Sequence, residues 1–340
     1  MYFSTYDAIY FATVVVFASW GCIANGLLLF MIIWRSPEHL SPYRVFLGNT
    51  AFTQLLLAVV SVFIAPRILA EGSNIVSIYL GPSQLLGPWY SVMLYVTMLH
   101  LTLNSFVSLM ISMIYRCICL RHSNIKTTTA VLMCIVGYVT PFSLIPPYLR
   151  LTYSANVTEA DQITHHMVLN MNKYSVVASA NVLQIPILWT MFCCLVLLVP
   201  IYGTIYFCRW KILTLLEKAT FAHSQQMKVN IKRFVKALTL QSLVPTLSIF
   251  PPAAAYSLIQ FGVLRPQLLS YFIVPSIGIG PAIDPMVTIY YVTPYRRFVT
   301  STLLSWPFIN LGTRHEQSSV NNEGDPKIHI PRKSLAPQLM

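Results

Sequence analysis

Charge is what this chain has least of. Of its 340 residues only 9% are charged, against about a quarter in soluble domains; 56% are hydrophobic and the mean hydropathy is +0.63. Ten residues are acidic, and within the long apolar stretches there is a single carboxylate, Asp284, and a single histidine, His100. An intramembrane hydrolase needs clustered metal ligands or paired acids, so that chemistry is excluded. No lysine occurs between Lys236 and Lys327, which removes a Schiff base from the last apolar stretch and with it a retinal pigment. A phosphate-cradling glycine loop is also missing. The chain is not expected to be an enzyme, nor to hold a cofactor or metal.

Cysteine is scarce where a secreted fold would use it. Cys22, Cys117, Cys119, Cys134, Cys193, Cys194 and Cys208 all fall in apolar stretches or near one set of their ends, leaving no extracellular disulfide framework. Cys22, Cys134, Cys193 and Cys194 read as small packing groups. Cys117, Cys119 and Cys208 lie where palmitoylation is chemically possible.

What is present is a repeated absence. Lys and Arg are missing from residues 10–34, 45–66, 72–115, 127–149, 174–208, 237–264 and 266–295. Each stretch exceeds or matches the ~20 residues that cross hydrocarbon as a helix. Backbone groups there are satisfied only in helices or closed barrels, and unalternating apolar runs exclude the barrel. The predicted fold is an all-α membrane protein, a seven-transmembrane helix bundle, with helices near 10–34, 45–65, 89–115, 130–149, 180–208, 235–261 and 267–292. Residues 1–309 form the membrane domain, including an amphipathic segment over 295–306. Residues 310–340, polar and rich in Ser, Asn and Pro, read as a disordered tail.

Orientation follows from the basic residues. Eighteen of the 22 Lys and Arg fall in alternate gaps and the tail, and only Arg67, Arg150, Lys173 and Arg265 fall on the opposite side. The positive-inside rule puts the N-terminus outside and the C-terminus in the cytoplasm. The net charge of +12 reflects this sorting rather than a nucleic-acid face, so the lipid bilayer, and no nucleic acid, is the expected surrounding. The sequon Asn156-Val157-Thr158 lies on the outer side, a glycosylation candidate consistent with that topology.

Polar residues inside the spans point to a receptor. Thr97, His100, Asn104, Ser108 and Ser112 recur every three or four residues of helix three and share one face. Polar groups are costly in lipid, so this face is expected to turn inward. His100 is about 16 Å below Trp89, near mid-membrane. Two readings stay open: His100 and Asn104 join helices, or His100 floors a ligand cavity with Met93, Tyr95 or Thr97 above it. Asp284, followed by Pro285, is the intramembrane acid, expected to pair with Asn49 or Gln54. Arg116 closes helix three at its inner end.

Two segments resemble nematode serpentine chemoreceptors. One is Ser36-Pro37-Glu38-His39-Leu40 through Tyr43-Arg44-Val45-Phe46-Leu47-Gly48-Asn49-Thr50. The other is Ile283-Asp284-Pro285-Met286-Val287-Thr288-Ile289-Tyr290-Tyr291 with Pro294-Tyr295-Arg296-Arg297-Phe298. Within that superfamily the chain is most similar to serpentine receptor class delta. The resemblance implies a G-protein-coupled-receptor-like chemosensory (odorant-type) receptor of the cell membrane, in sensory-neuron cilia, that binds a small, largely apolar ligand and couples to a heterotrimeric G protein. It gives Arg116, Asp284 and Tyr290 roles in activation and coupling, and Met93, Thr97, His100 and Asn104 remain the ligand-binding candidates. Tyr115-Arg116-Cys117 replaces the acidic-Arg-Tyr triplet of the wider superfamily, and Ser83 stands where an outer cysteine is expected. A ligand-gated channel or small-solute transporter is the alternative; one intramembrane acid and no repeated halves weigh against it.

Overall fold

The computed structural model describes residues 4–36, 41–71, 73–119, 126–164, 174–218 and 270–302, with residues 236, 239, 240, 243, 244, 246, 250, 254 and 258. Helices α1 (Thr5–Trp34), α2 (Ser41–Ile64) and α3 (Pro88–Cys119) are followed by α4 (Thr127–Phe142), the short α5 (Ile145–Tyr148) and α6 (Val157–Thr164). Next come α7 (Ile185–Met191), a π turn at Phe192–Val196, α8 (Leu198–Lys218), α9 (Ile273–Tyr291) and α10 (Thr293–Thr302). Strands β1 (Pro66–Glu71), β2 (Asn74–Tyr79) and β3 (Val177–Asn181) complete the described elements. Among the described residues six stretches are long and apolar enough to cross a membrane: Thr5–Trp34, Pro42–Ile64, Pro88–Cys119, Thr127–Tyr148, Ile185–Leu215 and Ile273–Tyr291. Most of the expected sixth helix, 235–261, and the tail 310–340 lie outside the described residues.

The first helix begins earlier than hydropathy alone suggests because its start is capped. Ser4 is extended, its hydroxyl accepts from the Asp7 backbone N–H at 3.2 Å, and the Asp7 carboxylate accepts from the Ser4 N–H at 3.1 Å. This reciprocal box satisfies two of the helix's orphan donors. α7 opens on a proline at its first turn, where no N–H is needed. The fifth span runs on to Lys218, past the end near 208 expected from hydropathy.

Within the compact unit Met1–Arg296, α1 packs against α2 and α9, and α2 against α3; α3 in turn touches α4 and α8. The third helix is therefore central, with 78% of its most apolar window buried, against 22% for Thr127–Tyr148. Gly137 lets α4 approach it: a Cβ there would stand 2.3 Å from Ile111 Cδ1. Large apolar side chains such as Val16, Ile23, Ile135 and Val139 remain exposed, as expected of faces solvated by lipid. Buried apolar residues form an outer cluster around Leu69, Val76, Ile78, Tyr79 and Met98 and an inner one around Phe46, Phe106, Tyr115, Cys193 and Ile205.

The outer loops carry a sheet that hydropathy does not reveal. β1 and β2 form an antiparallel hairpin from Pro66↔Tyr79 to Glu71↔Asn74, and β3 adds antiparallel to β2 from Asn74↔Asn181 to Ile78↔Val177. A bridge between Ser154 and Ser179 extends it. The chain turns from α2 into β1 through Ala65 at φ 36°, a left-handed conformation uncommon outside glycine. On the return, Gly81 lies so close to α2 that a Cβ would be 2.4 Å from the Phe63 carbonyl oxygen. Ser83, in place of a cysteine, is fully buried and accepts at its own hydroxyl oxygen from Ser91 Oγ at 3.1 Å.

Candidate ligand cavity and inner coupling face

Beneath the sheet lies a cavity of about 180 Å³, comparable to the ~150 Å³ engineered apolar cavities that accept benzene. Its roof includes Ser77 and Tyr79 of β2 and Ala178 and Ala180 of β3. Its walls are Tyr95, Met98, Leu99, Thr102 and Phe106 of α3, Tyr148 of α5, Ile187 and Thr190 of α7, and Ile273, Ser276 and Ile277 of α9. Cys194 and Leu195 reach it from the π turn. Such single-turn bulges often mark functional positions; this one sits where the fifth span faces the cavity.

The four expected ligand residues are not among the described lining. Met93 packs against the outer apolar cluster, and Thr97 donates to the Met93 carbonyl at 2.9 Å. His100 is buried beside the Tyr138 ring, centroids 6.2 Å apart. Asn104 donates to Thr53 Oγ1 of α2 at 2.9 Å. The polar ridge of α3 does turn inward, but toward α2 and α4; the cavity is met by the neighbouring face. A central helix has protein on several sides, so inward polarity does not say which neighbour it meets.

Below the cavity, polar side chains join α2, α3, α4 and α9. Asp284 is 1% exposed and Gln54 Nε2 donates to its Oδ2 at 2.5 Å, while Thr288 donates to the Asp284 carbonyl at 3.0 Å. Of the two expected partners the structure selects Gln54. Asn49 instead donates to Ser108 at 2.7 Å and accepts from the Tyr138 hydroxyl at 2.8 Å. Asn25 of α1 donates to the Pro281 carbonyl at 2.9 Å, an acceptor to which Pro285, four residues on in α9, has no N–H to offer.

At the inner end, the Arg116 guanidinium lies over the Tyr43 ring, 4.1 Å from its centroid. Phe46 and Tyr115 stack next to it, centroids 4.7 Å apart. Tyr290 is 61% exposed, against Tyr291 and under Arg296, and so is turned away from the α2–α3 contact. Asp284, Arg116 and Tyr290 thus occupy three separate settings.

Sequence reasoning missed the outer polar knot. Arg67 of β1 reaches Asp7 of α1 at 3.2 Å, with side chains 4% and 0% exposed. Tyr174 donates to Asp7 Oδ2 at 2.5 Å, Tyr271 to Oδ1 at 3.2 Å, and Arg67 Nε to Ser270 Oγ at 3.2 Å. Arg67 also stacks over Tyr271 at 4.0 Å, and Tyr10 donates to the Pro66 carbonyl at 2.6 Å. Burial first, and then the bond to Asp7, push the Tyr174 hydroxyl's pKa up. The available signal was the pair of isolated opposite charges at the outer ends of the first two spans. Asn156 is exposed; its Oδ1 accepts from the Thr158 N–H at 3.0 Å as α6 begins.

Comparison with known proteins gives a consistent picture. Residues 10–301 match the family model described as "Serpentine type 7TM GPCR chemoreceptor Srd". Serpentine receptor class delta-32 of Caenorhabditis elegans is 39% identical over 305 residues, covering 90% of both chains. Serpentine receptor class delta-33 of the same organism is 40% identical over 299 residues, covering 88% of this chain and 87% of its own. Among solved structures, squid rhodopsin superposes with a TM-score of 0.64 at 14% identity, covering 88% of this chain and 86% of its own; at that identity the likeness is one of fold.

Proposed function

This chain belongs to the Srd family of serpentine seven-transmembrane chemoreceptors, and we propose that it binds a small, largely apolar molecule in the cavity beneath the outer sheet and signals through a heterotrimeric G protein. The observation that carries this reading is the cavity itself: an apolar chamber walled by α3, α7 and α9, roofed by the sheet, above a polar core that ties two of those helices, α3 and α9, to α2. A ligand that fits one arrangement of those helices better than another shifts the population toward it.

In this proposal the inner readout is the Arg116–Tyr43 contact. With no acid beside it in sequence, Arg116 is held by the face of an aromatic ring, a contact worth roughly 0.5–1 kcal/mol where exposed and more where desolvated. Releasing it frees a cation at the inner end of α3 for a G-protein surface. Asp284 and Gln54 tie α9 to α2 between cavity and inner face; His100 and Asn104 act as helix-joining groups. Tyr290, turned outward, takes part through α9 rather than through Arg116. The multi-pass protein acts in the ciliary membrane of a sensory neuron, with residues 310–340 as its cytoplasmic tail and a glycan on Asn156.

The test is a chemical panel on cells expressing the chain with an N-terminal surface tag, reading calcium and cyclic nucleotides. Responses abolished by G-protein blockade are expected. Compound-evoked currents that survive blockade overturn the coupling and move the function to a ligand-gated channel.

A further inference from the structure

A second recess lies at the inner end of the bundle, apart from the ligand chamber. It encloses about 310 Å³ between α8, the start of the sixth apolar stretch and the end of α9. Its described lining includes Arg209, Leu213, Lys236, Leu240, Leu243 and Tyr291. Lys236, Leu240 and Leu243 are helical, and their spacing puts them on one face. Arg209 and Leu213, four apart on α8, supply another wall. Charge in this region is of one sign. From Lys218 to Ile283 the chain carries no acid, and Lys228, Lys232, Arg233 and Lys236 lead into the sixth stretch. The nearest acid in sequence, Glu217, is about two turns past Arg209 and is followed by Lys218. Among the described residues neither Arg209 nor Lys236 has an ion-pair partner.

The recess sits at headgroup depth. Trp210, next to Arg209, and Tyr290, next to Tyr291, are both exposed, and such aromatic side chains collect at the membrane–water boundary. Lys211 lies over the Phe207 ring, 5.5 Å from its centroid, a cation and an apolar anchor at the same level. Lys236 is at the cytoplasmic start of its helix, so Leu240 and Leu243 stand about 6 and 10 Å deeper; both are exposed. Two cations with leucines above them call for an anion that carries an apolar tail. A bare phosphate answers the cations and leaves the leucines uncovered. A protein surface takes roughly 20–30 residues a side, far more than this recess offers. We propose that the recess binds one anionic phospholipid of the inner leaflet, its phosphate between Arg209 and Lys236 and its first methylenes along Leu240 and Leu243. The cytoplasmic leaflet is where anionic lipids attract basic residues beside a membrane span, and the charge-assisted bonds hold the headgroup. This site depends neither on the ligand of the outer chamber nor on the G-protein reading.

The experiment takes the full chain in a neutral detergent and titrates three probes: dihexanoyl phosphatidylserine, dihexanoyl phosphatidylcholine and glycerophosphoserine, which carries the charged headgroup without chains. Retained ligands are counted by native mass spectrometry. The phosphatidylserine is expected to bind about tenfold tighter than the phosphatidylcholine, the scale of two basic residues beside an anionic headgroup; glycerophosphoserine is expected to bind more weakly than either lipid. Arg209→Gln and, independently, Lys236→Gln are expected to lower phosphatidylserine affinity about fivefold each and to leave phosphatidylcholine nearly unchanged. Lys236 is exposed, so Lys236→Gln serves if Arg209→Gln does not fold. Arg150→Gln, on the outer side, should keep the full preference. Equal affinities for the two lipids, no retained lipid, glycerophosphoserine bound as tightly as the lipid, or a preference untouched in both variants overturn the proposal. So does capture of a purified G protein that is lost in both variants and that phosphatidylserine does not displace, which gives the recess to a protein partner.

Discussion

The two ends of the bundle are held together by different physics. At the outer end, α1, β1, the segment at Tyr174 and the start of α9 meet in a buried ion pair surrounded by hydroxyl donors, alongside a three-stranded sheet. At the inner end most of the chain's cations gather; three of them lie over aromatic rings, Arg116 over Tyr43, Lys211 over Phe207 and Arg296 over Tyr290, and Tyr295 donates to the Ser36 hydroxyl at 3.2 Å. Among the described residues the Asp7–Arg67 pair is the one salt bridge. A hydrogen-bonded ion pair out of water resists the loss of either partner by several kcal/mol, whereas a cation over a ring gives way for about 0.5–2 kcal/mol. A receptor whose outer end is fixed and whose inner end is lightly latched can respond to a ligand by moving where the G protein is proposed to sit.

The hardest blow to this contrast is at the outer knot. Arg67→Ala leaves the Asp7 carboxylate buried without its counter-ion and is expected to cost about 3–5 kcal/mol. Delivery of the N-terminally tagged chain to the cell surface should largely fail. Wild-type surface levels and melting temperature would mean the knot does not hold the outer end.

Next is the polar core. Gln54→Leu removes the amide that donates to Asp284 and is expected to cost roughly 1–3 kcal/mol, the penalty for a buried polar group losing its partner. The melting temperature in nanodiscs checks this, with Gln54→Glu as the harsher variant.

A smaller effect tests the latch. Tyr43→Leu removes the ring under Arg116, a change of about 0.5–2 kcal/mol, and should raise ligand-independent signalling several-fold with little loss of stability. Tyr43→Phe keeps the ring but loses the hydroxyl that bonds Arg116, and should fall between wild type and Tyr43→Leu. Basal activity unchanged in Tyr43→Leu would leave the inner end without the proposed latch.

The smallest effect is expected from the residue that stood out most in the sequence. His100 is buried but is not among the described cavity lining, so His100→Leu should alter stability by about 1 kcal/mol and leave ligand potency nearly unchanged. A large rightward shift of the dose–response curve would place His100 back in the ligand site.

The legibility of the sequence differed from one feature to another. Hydropathy found the six described spans but not all their ends: α1 starts earlier because Ser4 caps it and polar Asp7 is helical, and α8 runs past the expected 208 to Lys218. It did not foresee β1 and β2, since the segment after α2 is short and its pairing with β3 joins residues about a hundred positions apart. Asp284 was legible as an acid needing a partner; that Gln54 and not Asn49 supplies the close bond depended on how α2 and α9 are rotated against each other. Helix three showed its polar ridge in the sequence, and Tyr95, expected above His100, does line the chamber; Thr102 and Phe106 carry no pattern that separates a chamber wall from packed core.

By itself, then, the sequence determined the apolar segments, their orientation and the family, all of which depend on local composition: the cost of a charge or a bare peptide group in hydrocarbon is decided residue by residue. The tertiary structure alone decided the Asp7–Arg67 knot, the sheet over the cavity, the choice of Gln54 and the hydroxyls that face the chamber. Those depend on rotations and approaches of a few ångströms between elements distant in the chain, and hydrogen bonds, unlike hydropathy, are lost when such distances change by one.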